Sequence, residues 1–185
     1  NIAKACDEGK INGEIVLVLS NKKKAAGLAK AEEMGLETKF ISHRKYDSRE
    51  AFDQAVVDAL EAKQVDLVCL AGFMRLLSPV LIKAFQNKII NIHPSLLPSF
   101  PGLDAQWQAA DYGVKVSGAT VHFVDEKLDH GPIILQEAIS VHDDEDGESL
   151  AARILEVEHR IYPESVALIC ADKVRVEGRK VIVSE

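Results

Sequence analysis

Three residues of this 185-residue chain are of types that together could act on a carbonyl group: Asn91, His93 and Asp129. Asn91 and His93 close the apolar run Ile89-Ile90-Asn91-Ile92-His93 and are two apart, so in a strand both face the same side. An amide donates and accepts hydrogen bonds, and an imidazole titrates near neutral pH. Pro94 and Pro98 restrict the backbone just beyond the pair. Asp129 lies in the loop Asp125–Pro132, followed by His130 and Gly131. If that loop folds over the strand end, the trio suits attack of an amine on an acyl carbon. The amide and a protonated imidazole would stabilise the developing oxyanion, and the carboxylate would favour the charged ring and pass protons. From spacing alone, Asn91 and His93 read as turn-stabilising residues before they read as catalysts, and Asp129 as a loop Asx-turn residue. His122 reads as a hydrogen-bonded structural histidine inside an apolar strand. A metal held by His93, His122 and Asp129 would match no compact ligand spacing. Ser95, behind Pro94, lacks the flanking glycines of a nucleophile elbow.

The elements that must place these residues alternate. Glu14–Leu19 and Val65–Leu70 read as buried parallel strands, and Thr38–Ile41 as a short one. Asn1–Glu8 reads as a helix stopped at Gly9. Ala25–Met34 is a helix capped by Gly35, and Asp47-Ser48-Arg49-Glu50 resembles a capping box opening a helix to about Ala62. Ser78 caps a further helix with Pro79 at its first position. This order is that of an open, mostly parallel sheet with helices on both faces, an α/β fold whose ligands sit beyond the carboxyl ends of the strands. The loop Gly72–Leu77 lies on that edge with Asn91 and His93. Asp104–Tyr112 follows as a helix. Ser117–Val124 and Ile133–Val141 are too close for a crossover and pair antiparallel. Ser149–Cys170 is helical, with Pro163 expected to kink or divide it. Val174–Val176 and Val181–Val183 form a terminal hairpin.

Bulk numbers bound the class. A hydrophobic content of 47% and a charged content of 28% fit one globular domain spanning 1–185. The net charge of −7, with no basic stripe, argues against a nucleic-acid surface. No apolar run approaches membrane-spanning length. Cys6, Cys69 and Cys170 fit neither a disulfide framework nor a paired metal motif, which favours a reducing, cytoplasmic setting.

Beyond these readings, Leu70-Ala71-Gly72-Phe73-Met74-Arg75-Leu76-Leu77-Ser78-Pro79, Asn91-Ile92-His93-Pro94-Ser95-Leu96-Leu97-Pro98, Phe100-Pro101-Gly102, Val121-His122-Phe123-Val124, Leu128-Asp129, Gly131-Pro132, Glu158-His159 and Tyr162-Pro163 resemble the phosphoribosylglycinamide formyltransferase family through essentially the whole chain. The resemblance implies a Rossmann-like formyltransferase fold. It implies formyl transfer from 10-formyltetrahydrofolate to the amine of glycinamide ribonucleotide in purine synthesis, with no metal. It implies Asn91, His93 and Asp129 as the catalytic set, with His93 as proton donor. Folate contacts would come from Arg49 (near the carboxylate tail), Met74, Arg75, Leu76, Leu77, Asn91, Asp125, Glu126, Lys127, Leu128 and Asp129. Glu158 would meet the ribose hydroxyls, beside Leu155, where the family often has a polar residue. A cis Leu97-Pro98 peptide is also implied, and a homodimer is compatible. The family opens with a strand and a Gly-x-Gly-Ser-Asn phosphate loop, which this chain, starting within the following helix, is expected to lack. The nearest rival is formyltetrahydrofolate deformylase, with water as acceptor. A folate-binding module without catalysis is a third reading, which the intact trio disfavours.

Overall fold

Ile89 and Ile90 are adjacent, both buried, and belong to different cores. Successive strand residues point to opposite faces, so this pair alone requires cover on both sides of the sheet. The structure, a computed structural model, describes residues 1–184. Its elements are α1 (Ile2–Asp7), β1 (Val18–Ser20), α2 (Ala26–Glu33), β2 (Thr38–Phe40), α3 (Arg49–Glu61), β3 (Val68–Leu70), α4 (Pro79–Ala84), β4 (Ile89–His93), α5 (Ala105–Tyr112), β5 (Val116–Phe123), β6 (Ile133–Ser140), α6 (Gly147–Cys170), β7 (Val174–Glu177) and β8 (Lys180–Val183), with a short 3-10 turn at His43–Lys45. β3, β4, β5 and β6 form one sheet in that order, parallel between β3 and β4 and antiparallel thereafter. β1 and β2 form a separate parallel pair, and β7 and β8 a hairpin.

One core lies under α1, α5 and α6, centred on Ile90, Val121, Leu150 and Ile154. The other lies under α3 and α4, centred on Phe52, Val56, Leu81 and Ile89, and takes Leu19 of β1 and Leu70 of β3 against it. Each fully buried side chain of this size contributes roughly 1.5–3 kcal/mol. The architecture is the expected α/β sheet with antiparallel C-terminal strands.

Several local expectations change. β1 starts at Val18, not Glu14, because its ladder partner begins at Thr38, with the Val18 N–H already on Glu37 O at 2.8 Å. Its residues are half-buried, as are those of β3. β3 starts at Val68, not Val65, because Val65 N still donates to Leu60 O at the end of α3 (3.2 Å). The α3 cap is Ser48 alone, accepting from Ala51 N at 3.0 Å; the residue at the reciprocal position is Ala51, so no carboxylate completes a box. Ser78 precedes α4 without capping it through its side chain, and the buried Asp53 carboxylate takes the Ser78 N–H instead at 2.6 Å. Pro163 does not divide α6. The helix buries Leu150, Ile154, Val157 and Ile161 at spacings of four, three and four, and this burial outweighs the roughly 3 kcal/mol that an interior proline costs. Tyr162 adds an anchor, its hydroxyl donating to Leu70 O at 2.7 Å and lying 3.2 Å from Ile90 O.

Candidate active site

Parallel pairing sets Leu70 opposite Asn91, so β3 and β4 end at the same edge and the turn at Gly72 (φ +63°) leaves beside the polar pair. Antiparallel pairing then sets His122 of β5 opposite Asn91, and Thr120 opposite His93. His122 Nδ1 stands 2.8 Å from Phe123 O, so Nδ1–H donates there and Nε2 is left to accept from Asn91 Nδ2 at 3.4 Å. Burial lowers the His122 pKa, against the opposing pull of the Phe123 carbonyl and Asp129. A neutral His122 thus orients the Asn91 amide. His122 was expected to be structural and is also part of the site. Its signal in the sequence is Thr120 and His122, two polar residues at strand spacing in an apolar strand, matching the spacing of Asn91 and His93.

His93 is buried at the end of β4. Its Nε2 donates to Phe100 O at 2.8 Å, and its Nδ1 lies 3.5 Å from Asp129 Oδ2. Asp129 also accepts from Gly102 N at 2.7 Å, and its other oxygen lies 3.9 Å from His122 Nε2. The turn behind His93 contains the cis Leu97-Pro98 peptide. It is held by Thr120, whose hydroxyl donates to Ser95 O (2.6 Å) and accepts from Leu97 N (3.1 Å), with Gln136 on Leu97 O at 2.8 Å. Asn91, His122, Asp129 and His93 therefore meet in one contiguous polar cluster.

A cleft opens onto this cluster. It is lined by Arg75, Leu76 and Leu77 on one side, Asp125 to Asp129 on the other, and Asn91 and His122 at its end, with Leu70, Phe73 and Val124 adding apolar surface. The Arg75 guanidinium lies 5.5 Å from the centre of the Phe52 ring, and its buried Nε has no partner among the described residues. Apolar walls, exposed loop backbone and one underused guanidinium fit a flat heteroaromatic ligand bearing an anion. Four expected contact residues do not line the cleft, and neither does His93, which meets it only through Asp129. Met74 is 74% exposed, Arg49 pairs with Glu50 at 3.7 Å on the surface of α3, and Leu155 and Glu158 lie on α6. Among the described residues, no group of three His, Cys, Asp or Glu side chains stands where it could hold a metal.

Asp125 anchors its loop, taking Lys127 N on one oxygen (2.9 Å) and His130 Nδ1 on the other (2.8 Å). Partial burial raises its pKa, but the His130 and Lys127 hydrogen bonds and the charge of Arg179 outweigh that and hold it below the usual range. Glu158 is the opposite case: burial pushes its pKa from the ordinary 4.5 up to about 7. The folded state then takes up a proton that the unfolded chain has lost, so this contribution to stability is complete below pH 4.5 and is lost as pH rises through about 7. Glu158→Gln is expected to raise Tm at pH 8 by about 2–4 °C, the scale of ~1 kcal/mol for a chain of this size, and to change it little at pH 4.5. An equal Tm shift at both pH values would disprove the assignment.

An amide and an imidazole at the carboxyl edge of an open α/β sheet, with a carboxylate from the adjoining loop, supply the donors and the proton carrier that an acyl-transfer enzyme would use. Residues 1–166 match the family described as formyl transferase. The chain is 43% identical over 150 residues to phosphoribosylglycinamide formyltransferase of Bacillus subtilis, covering 81% of this chain and 77% of that one. It is 50% identical over 163 residues to the trifunctional purine biosynthetic protein adenosine-3 of Gallus gallus, covering 88% of this chain. It spans only 16% of that longer relative. The crystal structure of glycinamide ribonucleotide transformylase 1 from Symbiobacterium toebii superposes with a TM-score of 0.98 at 48% identity, over all of this chain and 87% of that one. The chain belongs to the formyl transferase family.

Proposed function

We propose that the protein transfers a formyl group from 10-formyltetrahydrofolate to the amine of glycinamide ribonucleotide, a step in purine synthesis. The observation that carries this reading is that Asn91 and Asp129 line the cleft formed by residues 75–77 and 125–129, joined through His122, with His93 directly behind Asp129 at 3.5 Å. The names of the bacterial relatives support the same acceptor.

The chain's residues divide the work. The cleft holds the pterin between the two loops, and Arg75, held on Phe52, meets the donor's anionic part. Asn91, oriented by His122, donates to the formyl oxygen as the amine attacks and charge develops there. His93, its Nε2 held on Phe100 O, presents Nδ1 to the Asp129 carboxylate at 3.5 Å and exchanges the proton with the reacting nitrogen by way of that pair. A carbon–nitrogen bond forms to the acceptor amine, which loses a proton, and the bond to the folate nitrogen breaks as that nitrogen gains one. No covalent enzyme intermediate is needed. Glu158, raised in pKa and free of ion pairs among the described residues, serves as hydrogen-bonding partner to the ribose hydroxyls. Three free cysteines support work in a reducing compartment, the cytoplasm.

The test supplies formyl-labelled donor with and without the ribonucleotide, using the full-length protein. Label is expected on the ribonucleotide amine and only when the acceptor is present. Release of labelled formate regardless of acceptor would replace this reading with the deformylase.

A further inference from the structure

The loop that forms one wall of the cleft is held from a part of the chain with no place in the chemistry. Arg179 stands at the tip of the β7–β8 hairpin, next to Gly178, 49 residues beyond His130. Its Nη2 donates to His130 O at 2.7 Å, and its Nη1 lies 3.0 and 3.2 Å from the two His130 ring nitrogens. His130 Nδ1 also lies 2.8 Å from Asp125 Oδ2. With Nδ1–H donating to that carboxylate, Nε2 is the nitrogen free to accept from Arg179. Asp125 in turn accepts from Lys127 N. A continuous series of hydrogen bonds therefore runs from the hairpin tip through His130 to the start of the loop.

The loop needs such a tie. Asp129 adopts φ +46°, a left-handed conformation that costs a residue with a side chain roughly 1–2 kcal/mol. The residue after it is His130, whose carbonyl Arg179 holds, and the next is Gly131, packed against the Phe123 carbonyl. Releasing His130 loosens the wall formed by residues 125–128, while Asp129 keeps its own tie to Gly102 N at 2.7 Å.

We propose that Arg179 is a positioning residue for the donor site: acting through His130 and Asp125, it holds the Asp125–Gly131 loop in the shape that lines the cleft. In its kinetic part this rests on the formyl-transfer reading above. Arg179 touches no reacting group, and its loss raises KM for the folate donor more than it lowers kcat.

The test compares Arg179→Ala, Arg179→Lys and Arg175→Ala in the full-length protein. Arg175 belongs to the same hairpin but pairs with Glu177 (2.7 Å). Amide exchange across residues 125–131 of the ligand-free protein is expected to quicken about 5- to 10-fold in Arg179→Ala, with Tm within a few degrees of the parent. It should quicken similarly in Arg179→Lys, whose single ammonium cannot reproduce the planar two-point contact, and stay unchanged in Arg175→Ala. KM for 10-formyltetrahydrofolate should rise about 3- to 10-fold with kcat falling less than threefold. His130→Ala should give a similar effect, and adding Arg179→Ala to it should give little more. Unchanged loop exchange in Arg179→Ala would overturn the proposal whatever the activity. Faster exchange in a protein whose parent shows no formyl transfer would leave the tie standing and remove the functional reading instead.

Discussion

His93→Ala is expected to lower kcat by about 10²-fold or more, the scale on which general acids and oxyanion donors act. Asn91→Ala should do the same. The expectation follows from geometry. His93 is buried, its Nε2 is committed to Phe100 O, and its Nδ1 lies 3.5 Å from Asp129, which lines the cleft. No neighbouring donor among the described residues can take its place, since His122 spends its one proton on Phe123 O. Truncation also leaves the Phe100 carbonyl short of a donor, so a fall in stability accompanies the fall in rate. His93→Gln separates the two effects, because its amide can still donate to Phe100 O but cannot carry an exchangeable charge. Steady-state kcat in the range where the variants remain folded is the measurement. Near-normal kcat in His93→Gln would take His93 out of the proton-transfer role, and near-normal kcat in Asn91→Ala would take the amide out of oxyanion stabilisation.

Gly131→Ala carries the largest structural penalty at the site. A β-carbon there would overlap the carbonyl oxygen of Phe123. That carbonyl cannot yield easily. Phe123 is buried at the end of β5, its N–H is bonded to Pro132 O at 2.8 Å, and its oxygen already receives the His122 Nδ1–H. The loop must lift instead, separating Asp129 from Gly102 and His93. Overpacking against fixed backbone sits at or beyond the top of the usual range, so about 3 kcal/mol of destabilisation is expected. Gly72→Ala provides the comparison. Gly72 has φ +63° but open space around its α-carbon, so only the backbone penalty of about 1–2 kcal/mol applies. Urea midpoints for the two variants decide the matter. Gly131→Ala within 1 kcal/mol of the parent would show that the loop is not seated on Phe123.

Much of this was legible along the chain. Period-two spacing put Asn91 and His93 on one side of a strand, and Gly72 marked a turn needing a left-handed residue. The antiparallel β5–β6 pair followed from a connection too short for a crossover. Other features depend on partners that spacing does not reveal. The lengths of β1 and β3 were overestimated because an apolar run shows burial tendency, whereas a strand ends where its neighbour stops supplying hydrogen bonds. Arg75 and Phe52 are 23 residues apart and meet only once α3 packs beside the β3 edge. Asp53 gave no local sign that it would be buried taking a backbone N–H from Ser78. His122 came within reach, since polar spacing in β5 repeats that in β4, but only the register reveals that the two pairs face each other.

The single hydroxyl of Tyr162 has a wider consequence. From the middle of α6, the helix that also carries Glu158, it reaches the last residue of β3 and the second residue of β4. Exposing the backbone carbonyls of Leu70 and Ile90 therefore requires α6 to lift as well. The strand that ends in Asn91 and His93 and the helix that bears Glu158 are thus joined by a buried hydroxyl, so local opening of one is coupled to local opening of the other.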